Sequence, residues 1–265
     1  MNARSLATLS LLVAASGAGA QDAKVWYVPG SSKYVVTSST KTSQEMQGQK
    51  QEFEATGKQQ VSVTIGGSKK DSLDLSIVLD SISIASSAPG VPDVSKLIGT
   101  KLSGTMSPMG QVYAAKLVGP DGNEVKNAQV EGLRRFLPKL PASLKPGATW
   151  VDSSSSTVPA ANGAMMTRNA QTTYTVLGDT TYDGEKAWRI GAETKAKIDG
   201  KGQQMGTDFT ISGGSTSKAT TYVSAKGVYL GTEGTENQDL TVTVDAAGLI
   251  IPVTSSTTIK IAKVK

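Results

Sequence analysis

The chain has 265 residues, a formal net charge of +5, and neither histidine nor cysteine. Without histidine there is no imidazole general base and no Ser-His-Asp arrangement, and without either residue the usual zinc, copper and haem sites are excluded. Without cysteine there are no disulfides to brace the fold and no thiol to carry a lipoprotein's acyl anchor, so stability rests on an apolar core.

Residues 1–20 carry the three parts of a secretory signal. Arg4 charges a short start, Leu6 to Ala15 is an apolar run broken by Thr8 and Ser10, and Ala18-Gly19-Ala20 sets small residues where a signal peptidase reads them. The run is too short for a bilayer span, which needs roughly 20 apolar residues. Cleavage after Ala20 leaves a mature chain from Gln21, and loss of Arg4 lowers its net charge from +5 to +4. The expected location is periplasmic or secreted, with no transmembrane span in the mature chain. The charge is mild and unclustered, so no nucleic-acid partner is expected.

Residues 33–47, 50–66 and 70–87 read as long strands, with Gly66-Gly67 in a turn. Leu73, Leu75, Ile77 and Leu79 share one face but Ile82 and Ile84 are out of phase with them, which predicts a bulge near Val78 to Ser81. Strands at 100–107 and 111–118 flank Ser107-Pro108-Met109-Gly110, and 93–100 is a candidate short helix. Residues 121–137 change period: Val125, Ala128, Leu133, Phe136 and Leu137 fall near one helical face. Asp121 and Glu124 resemble a capping box, and Pro138 and Pro141 close the segment.

Strands resume in the second half. From Trp188 to Ile198, Trp188, Ile190, Ala192, Ala196 and Ile198 lie on one face, and Arg189, Glu193, Lys195 and Lys197 on the other. Such alternation marks an antiparallel sheet with one dry face. Leu240, Val242 and Val244, then Ile259 and Ile261, repeat it. Asp183-Gly184, Asp199-Gly200, Gly213-Gly214, Lys226-Gly227 and Ala247-Gly248 read as turns between them. The heptapeptide from Ser107 to Tyr113 echoes Ser224 to Tyr229, and a Trp opens each half, at Trp26 and Trp150. Shared hairpin chemistry and an internal duplication both explain the echo.

Catalytic motifs are weak. Ser-x-x-Lys occurs at Ser38/Lys41 and Ser215/Lys218, but in strands, where positions i and i+3 face opposite ways. Glu52 and Glu54 fit a solvated strand face better than a glycosidase pair. Gly200, Gly202 and Gly206 have the wrong spacing for a dinucleotide loop and fit a hairpin turn. Asp121 to Glu124 lacks calcium-loop spacing and fits a helix N-cap. No cofactor or metal is expected. Met106, Met109, Met165, Met166 and Met205 either pack a core or line an apolar cavity.

The order of elements carries a resemblance. Exported strands lead to the turn at Ser107 to Val112, a helix, Leu137-Pro138-Lys139-Leu140-Pro141, Leu144-Lys145-Pro146-Gly147-Ala148-Thr149-Trp150, and a second meander. This resembles an uncharacterised family of bacterial envelope proteins whose half-barrel is similar to that of Lol-type lipoprotein carriers and mycobacterial lipid-carrying lipoproteins. The resemblance implies a mainly β fold: a large curved antiparallel sheet, a half-barrel or incomplete barrel, with one or two short helices covering the concave side. It brings no catalytic residues. The chain departs from it in lacking the acylated cysteine of many relatives.

The expected organisation is therefore a signal peptide at 1–20 and one half-barrel domain at 21–265. Its pseudo-halves run from about 21 to 120 and from 138 to 265, joined by helix 121–137. The leading functional expectation is a non-enzymatic envelope protein binding a lipid or other apolar ligand. Met106, Leu133, Phe136, Leu137, Met166, Trp188 and Ile190 are the candidate lining, each of them equally a plain core residue. The alternatives are a structural or interaction protein with an envelope protein partner and no small ligand, and a hydrolase using carboxylates alone.

Overall fold

The computed structural model describes residues 25–265 apart from 47, 70, 71, 91, 92, 126, 160–163 and 205, so the signal segment and Met205 lie outside the described residues. Eleven antiparallel strands form one curved, unclosed sheet. They are β1 (Gly30–Met46), β2 (Gln49–Lys69), β3 (Ser72–Ser86), β4 (Lys101–Met106), β5 (Val112–Val118), β6 (Thr149–Pro159), β7 (Met165–Tyr182), β8 (Glu185–Gln204), β9 (Thr207–Ser224), β10 (Tyr229–Val244) and β11 (Leu249–Lys263). The spatial order is β5-β4-β3-β2-β1-β11-β10-β9-β8-β7-β6, so the first and last strands pair at the centre and β5 and β6 form the edges. Eight strands run 15–21 residues. At about 3.3 Å per residue they reach roughly 50–70 Å.

Period-2 patterning sets the two faces. Along β11 half-buried and exposed residues alternate with almost no break. The half-buried set, running through Ile251, Val253, Ser255, Thr257, Ile259 and Ile261, lines the concave side. The outer set is charged and paired across strands, as in Lys41–Glu54, Lys218–Glu193 and Lys260–Glu233.

One long connection, 119–148, joins the two edge strands. It must cross from one side of the sheet to the other, and it does so over the concave face at one end. Its side chains Val130, Leu133, Phe136, Leu137, Leu140 and Leu144 are all buried. They meet Tyr34, Val61, Val63, Leu73, Leu75, Ile77, Leu79, Leu102, Met106, Ile190 and Val223 in a single core. Phe136 sits edge-on to Tyr34 at 5.2 Å and to Tyr229 at 5.9 Å. Backbone ties hold the plug: Leu140 N–H donates to the Met109 carbonyl (2.8 Å) and the Tyr27 hydroxyl to the Pro138 carbonyl (2.9 Å).

Several expectations hold. The bulge falls at Asp80: Gln60 pairs with Ser81 and Val61 with Leu79. That single extra residue keeps Leu79, Ile82 and Ile84 all on the inner face. The echoed turns are the same turn. In each, the first serine's N–H bonds the carbonyl four residues on (Gln111, Val228), and the glycine N–H bonds back to the serine carbonyl. Each serine hydroxyl accepts from the N–H of that fourth residue, and Gly110 and Gly227 both have φ above +79°.

Other expectations are corrected. Helical backbone in 121–137 is limited to one α turn, α1 (Ala128–Glu131), and a 3-10 turn over Gly132–Arg135. Asp121 is no helix cap. Its carboxylate closes a tight turn on Asn123 (3.1 Å to N–H), while the Asn127 side chain caps α1 through Gln129 N–H (2.9 Å). Residues 93–100 contain only a 3-10 turn at Ser95–Leu97.

Asp199-Gly200, Gly213-Gly214 and Gly66-Gly67 are not turns; they lie within β8, β9 and β2. Gly202 is likewise in β8. Close approach of a neighbouring strand or loop leaves no room for a side chain at two of the strand glycines: a Cβ at Gly202 would lie 2.7 Å from Ala164 Cα, and one at Gly234 2.8 Å from Ala219 Cβ. They let long strands curl.

Candidate functional site

The concave face changes character along the strands. Beneath the plug the inward residues are Leu79, Val61, Tyr34, Val223 and Ile190, packed against the crossing connection. Past the plug the register aligns Asp152, Thr172, Thr194, Ser217, Glu236, Thr257, Thr40 and Ala55 from β6 round to β2. Ser154, Ala170, Ala196, Ser215, Gln238, Ser255 and Thr42 follow one step on. Thr172 bonds Thr194 at 2.8 Å and Thr40 bonds Thr257 at 2.9 Å, so these hydroxyls satisfy one another across the strands. Nearer the far end the face turns apolar again, with Val158, Met166, Ile211, Val242 and Ile251 aligned. The result is a trough with a polar belt between two apolar bands, plugged at one end.

Three charged residues stand on the inward phase here: Asp152, paired with Lys139 of the plug, and the pair Arg168 and Glu236. Arg168 in β7 reaches over β8 and β9 to Glu236 in β10 (3.2 Å), touching the Ser215 hydroxyl on the way (3.4 Å). The bridge spans four strands, which strong curvature makes possible.

A cavity of about 370 Å³ opens where the plug meets β6, β7 and β8, lined by Arg134, Arg135, Lys139, Asp152, Arg168 and Tyr174 among others. Arg134 is fixed by Glu131 (2.9 Å) and the Ala115 carbonyl (2.8 Å), and Lys139 by Asp152 (2.6 Å). Tyr174 stacks on Trp150 with centroids 5.0 Å apart. Burial raises the Tyr174 phenol pKa, Asp152 raises it further, and Arg135 pulls it back. A larger cleft of about 460 Å³ lies between the β7–β8 hairpin tip and the ends of β10 and β11. Its lysines are taken up in ion pairs, Lys260 with Glu233, Lys265 with Asp183 and Lys263 with Glu185. The cavity beside the plug is the better candidate, because it opens onto the trough and holds a cation, Arg135, with no counter-ion among the described residues.

Of the residues singled out from the sequence, Met106, Leu133, Phe136, Leu137 and Ile190 come together in the plugged core, and Trp188 packs against it. Met166 stands apart, half-buried near the far end of the trough. Met109 and Met165 are exposed, so the methionines do not line one cavity. Ser38 and Lys41 face opposite ways, as do Ser215 and Lys218. Glu52 and Glu54 pair with Lys50 and Lys41 on the outer face. Among the described residues no group of three or more acidic side chains is placed to hold a metal ion. Arg134, Arg135, Lys139, Arg168 and Asp152 escaped the sequence reading. The available signal was phase: Arg168 shares the inward phase of Met166, Ala170 and Tyr174.

No family model matches the chain, and no curated protein matches it. Solved structures with some likeness include a DUF1329 family protein from Desulfovibrio piger (10% identity, 87% of this chain and 84% of that one, TM-score 0.24). Another is a putative outer membrane lipoprotein-sorting protein domain from Vibrio parahaemolyticus (7% identity, 88% and 84%, TM-score 0.25). At these scores neither likeness bears on what this chain does.

Proposed function

We propose that this chain is a non-enzymatic binding protein, working outside the cytoplasm, that shelters an elongated amphiphile in the trough beyond its plug. One observation carries the reading. The inner face past the plug is shielded by curvature, yet its inward residues are mostly Ser, Thr, Ala and Gly, and it ends on an apolar band. A sheet closing on its own core fills its inner face with large apolar side chains, as this one does beneath the plug. A trough lined by small side chains admits a guest more readily than one filled by large ones. Its hydroxyl belt and apolar band suit a molecule with polar and apolar parts, whose buried apolar area contributes roughly 25 cal/mol per Å² before association costs. The occupant would lie past the plug, where Met166 is, and away from the filled core around Met106 and Phe136.

The test is native mass spectrometry of protein purified from its host without detergent, followed by displacement of a fluorescent acyl probe. A co-purifying amphiphile is expected, together with a loss of about tenfold in probe affinity for Met166→Asp, the scale of a charge forced into an apolar contact. No bound amphiphile and unchanged probe binding in the variant would refute the reading. A mature N-terminus at Gln21 in the same spectra would support export.

A second reading, an interaction protein of the envelope, is favoured by one feature. Among the described residues, edge strand β6 (11 residues) pairs with β7 and with no strand on its other side. Such an edge can accept a partner's strand. A single stoichiometric protein partner captured from envelope extracts, with no small ligand bound, would favour it.

A further inference from the structure

The cavity beside the plug specifies the chemistry of the guest's polar end. Four cations line it: Arg134, Arg135, Lys139 and Arg168. Three are matched one to one, with Glu131 (2.9 Å), Asp152 (2.6 Å) and Glu236 (3.2 Å). Among the described residues Arg135 makes no ion pair, and it is exposed at the cavity wall. The site as built therefore holds one uncompensated positive charge, on the residue best able to bind an oxyanion through two parallel N–H bonds. The other two guanidiniums have further partners, Arg134 in the Ala115 carbonyl and Arg168 in the Ser215 hydroxyl.

Resting on the amphiphile reading, we infer that the ligand carries a single negative charge on its head group, a carboxylate or a phosphodiester, seated against Arg135 between the plug and Tyr174, with its tail directed along the trough toward Met166 and Ile211. The geometry fits. A volume of about 370 Å³ is at the small end for ligand sites, enough for a head group and the first carbons but not for a whole lipid. From Thr172, in the cavity wall, to Met166 is six residues of β7, or roughly 20 Å of strand, over which the inner face passes from hydroxyls to apolar side chains. A dianionic head group would find only one free cation. A cationic one would meet a like charge.

The experiment compares four probes on the purified protein by calorimetry: oleate, lysophosphatidylglycerol, oleyl alcohol and lysophosphatidylcholine. The two anions are expected to bind about tenfold tighter than the neutral and zwitterionic probes, the range of a hydrogen bond to a charged group. Arg135→Gln is expected to weaken the anions about fivefold, the scale of an exposed charge pair, while leaving oleyl alcohol within about twofold. Lys218→Gln, on the outer face, is expected to change nothing. Added salt should shrink the anion preference. Whichever anion binds tighter distinguishes a fatty carboxylate from a phospholipid as the source. Equal binding of all four probes, or an Arg135→Gln effect as large on oleyl alcohol as on oleate, would overturn the inference while leaving the amphiphile reading standing. Failure of every probe to bind would overturn both.

Discussion

Replacing Phe136 by alanine tests whether stability is concentrated beneath the plug. Phe136 is 8% exposed and packs edge-on against Tyr34 and Tyr229. Removing a buried phenylalanine costs about 3–5 kcal/mol, and within that figure each ring pair accounts for roughly 0.5–1.5 kcal/mol. The upper half of the range is expected. The plug is tethered by Leu140 and Pro138 backbone bonds and cannot collapse freely into the void. Phe53 provides the internal control. It is a phenylalanine on the same concave face, but past the plug and only half-buried, so Phe53→Ala is expected to cost less than about 1.5 kcal/mol, in proportion to the smaller area it covers. The assay is urea unfolding followed by far-UV circular dichroism, with the m-value required to stay constant so that midpoint shifts report stability. A loss below about 1 kcal/mol for Phe136→Ala, far under the usual range, or equal losses at the two sites, would refute a one-sided core.

Three further outcomes follow from the same structure. Gly234→Val is expected to destabilise by about 1–3 kcal/mol through overpacking, because Ala219 Cβ and the Lys218 carbonyl already lie 2.8 Å from the position its Cβ would take; an unchanged melting temperature would count against the tight inner curve. Arg168→Met leaves Glu236 alone on the inner face, and with both side chains partly exposed the expected loss is about 1 kcal/mol; the added Glu236→Gln change should restore most of it, and a double variant no better than the single would contradict the pairing. Burial pushes the Tyr34 phenol up to about 12 and the Tyr27 and Tyr229 phenols up as well. A raised phenol pKa means that the unfolded chain ionises first, so this contribution is intact below about pH 10 and is lost as pH climbs toward 12, about 2–3 kcal/mol for Tyr34 alone. A titration at 295 nm should show these phenols ionising only with unfolding, and full ionisation near pH 10 with the tertiary signal intact would sink the assignment.

The strands and the bulge were legible because both are matters of phase. Leu73 to Leu79 and Ile82 to Ile84 cannot share a face unless one residue is inserted, and Asp80 is that residue. The helix was over-read for a related reason. Val125, Ala128 and Leu133 have helical spacing, but Val125 N–H is bonded to the Leu117 carbonyl (3.0 Å) and Glu124 bridges to Val118. Sheet pairing thus claims the first part of the segment before any helix starts. The glycine pairs misled because a local rule, Gly as turn, competes with a tertiary one, Gly as room for a neighbour. Only the partner strand decides between them: Gly213 lies opposite Ile198, and Gly214 opposite Lys197, deep in the β8–β9 ladder. The cluster around Arg135 was the least legible part. Its members come from the plug, from β6 and from β7, and only the crossing of 119–148 from one sheet edge to the other brings them together.

The inward polar belt has a consequence for the free protein. A long curved sheet with Val and Leu along its whole inner face would be driven to fold its walls together or to pair with another copy. Hydroxyls that bond one another across strands, such as Thr172 with Thr194, already have their partners and gain little from closing further. The Arg168–Glu236 bridge adds to this. Drawing the walls together would strip water from two partly exposed charges, a desolvation cost that their attraction does not fully offset. On the proposed function, the belt would hold the trough open without a ligand, and the plug, packed on the apolar band at one end, would supply the stability that the open part forgoes. Substituting the belt with valine at Thr172, Thr194 and Ser217 should test this directly: a more stable or self-associated protein with lower amphiphile affinity is expected, and unchanged solution behaviour would show that curvature alone keeps the walls apart.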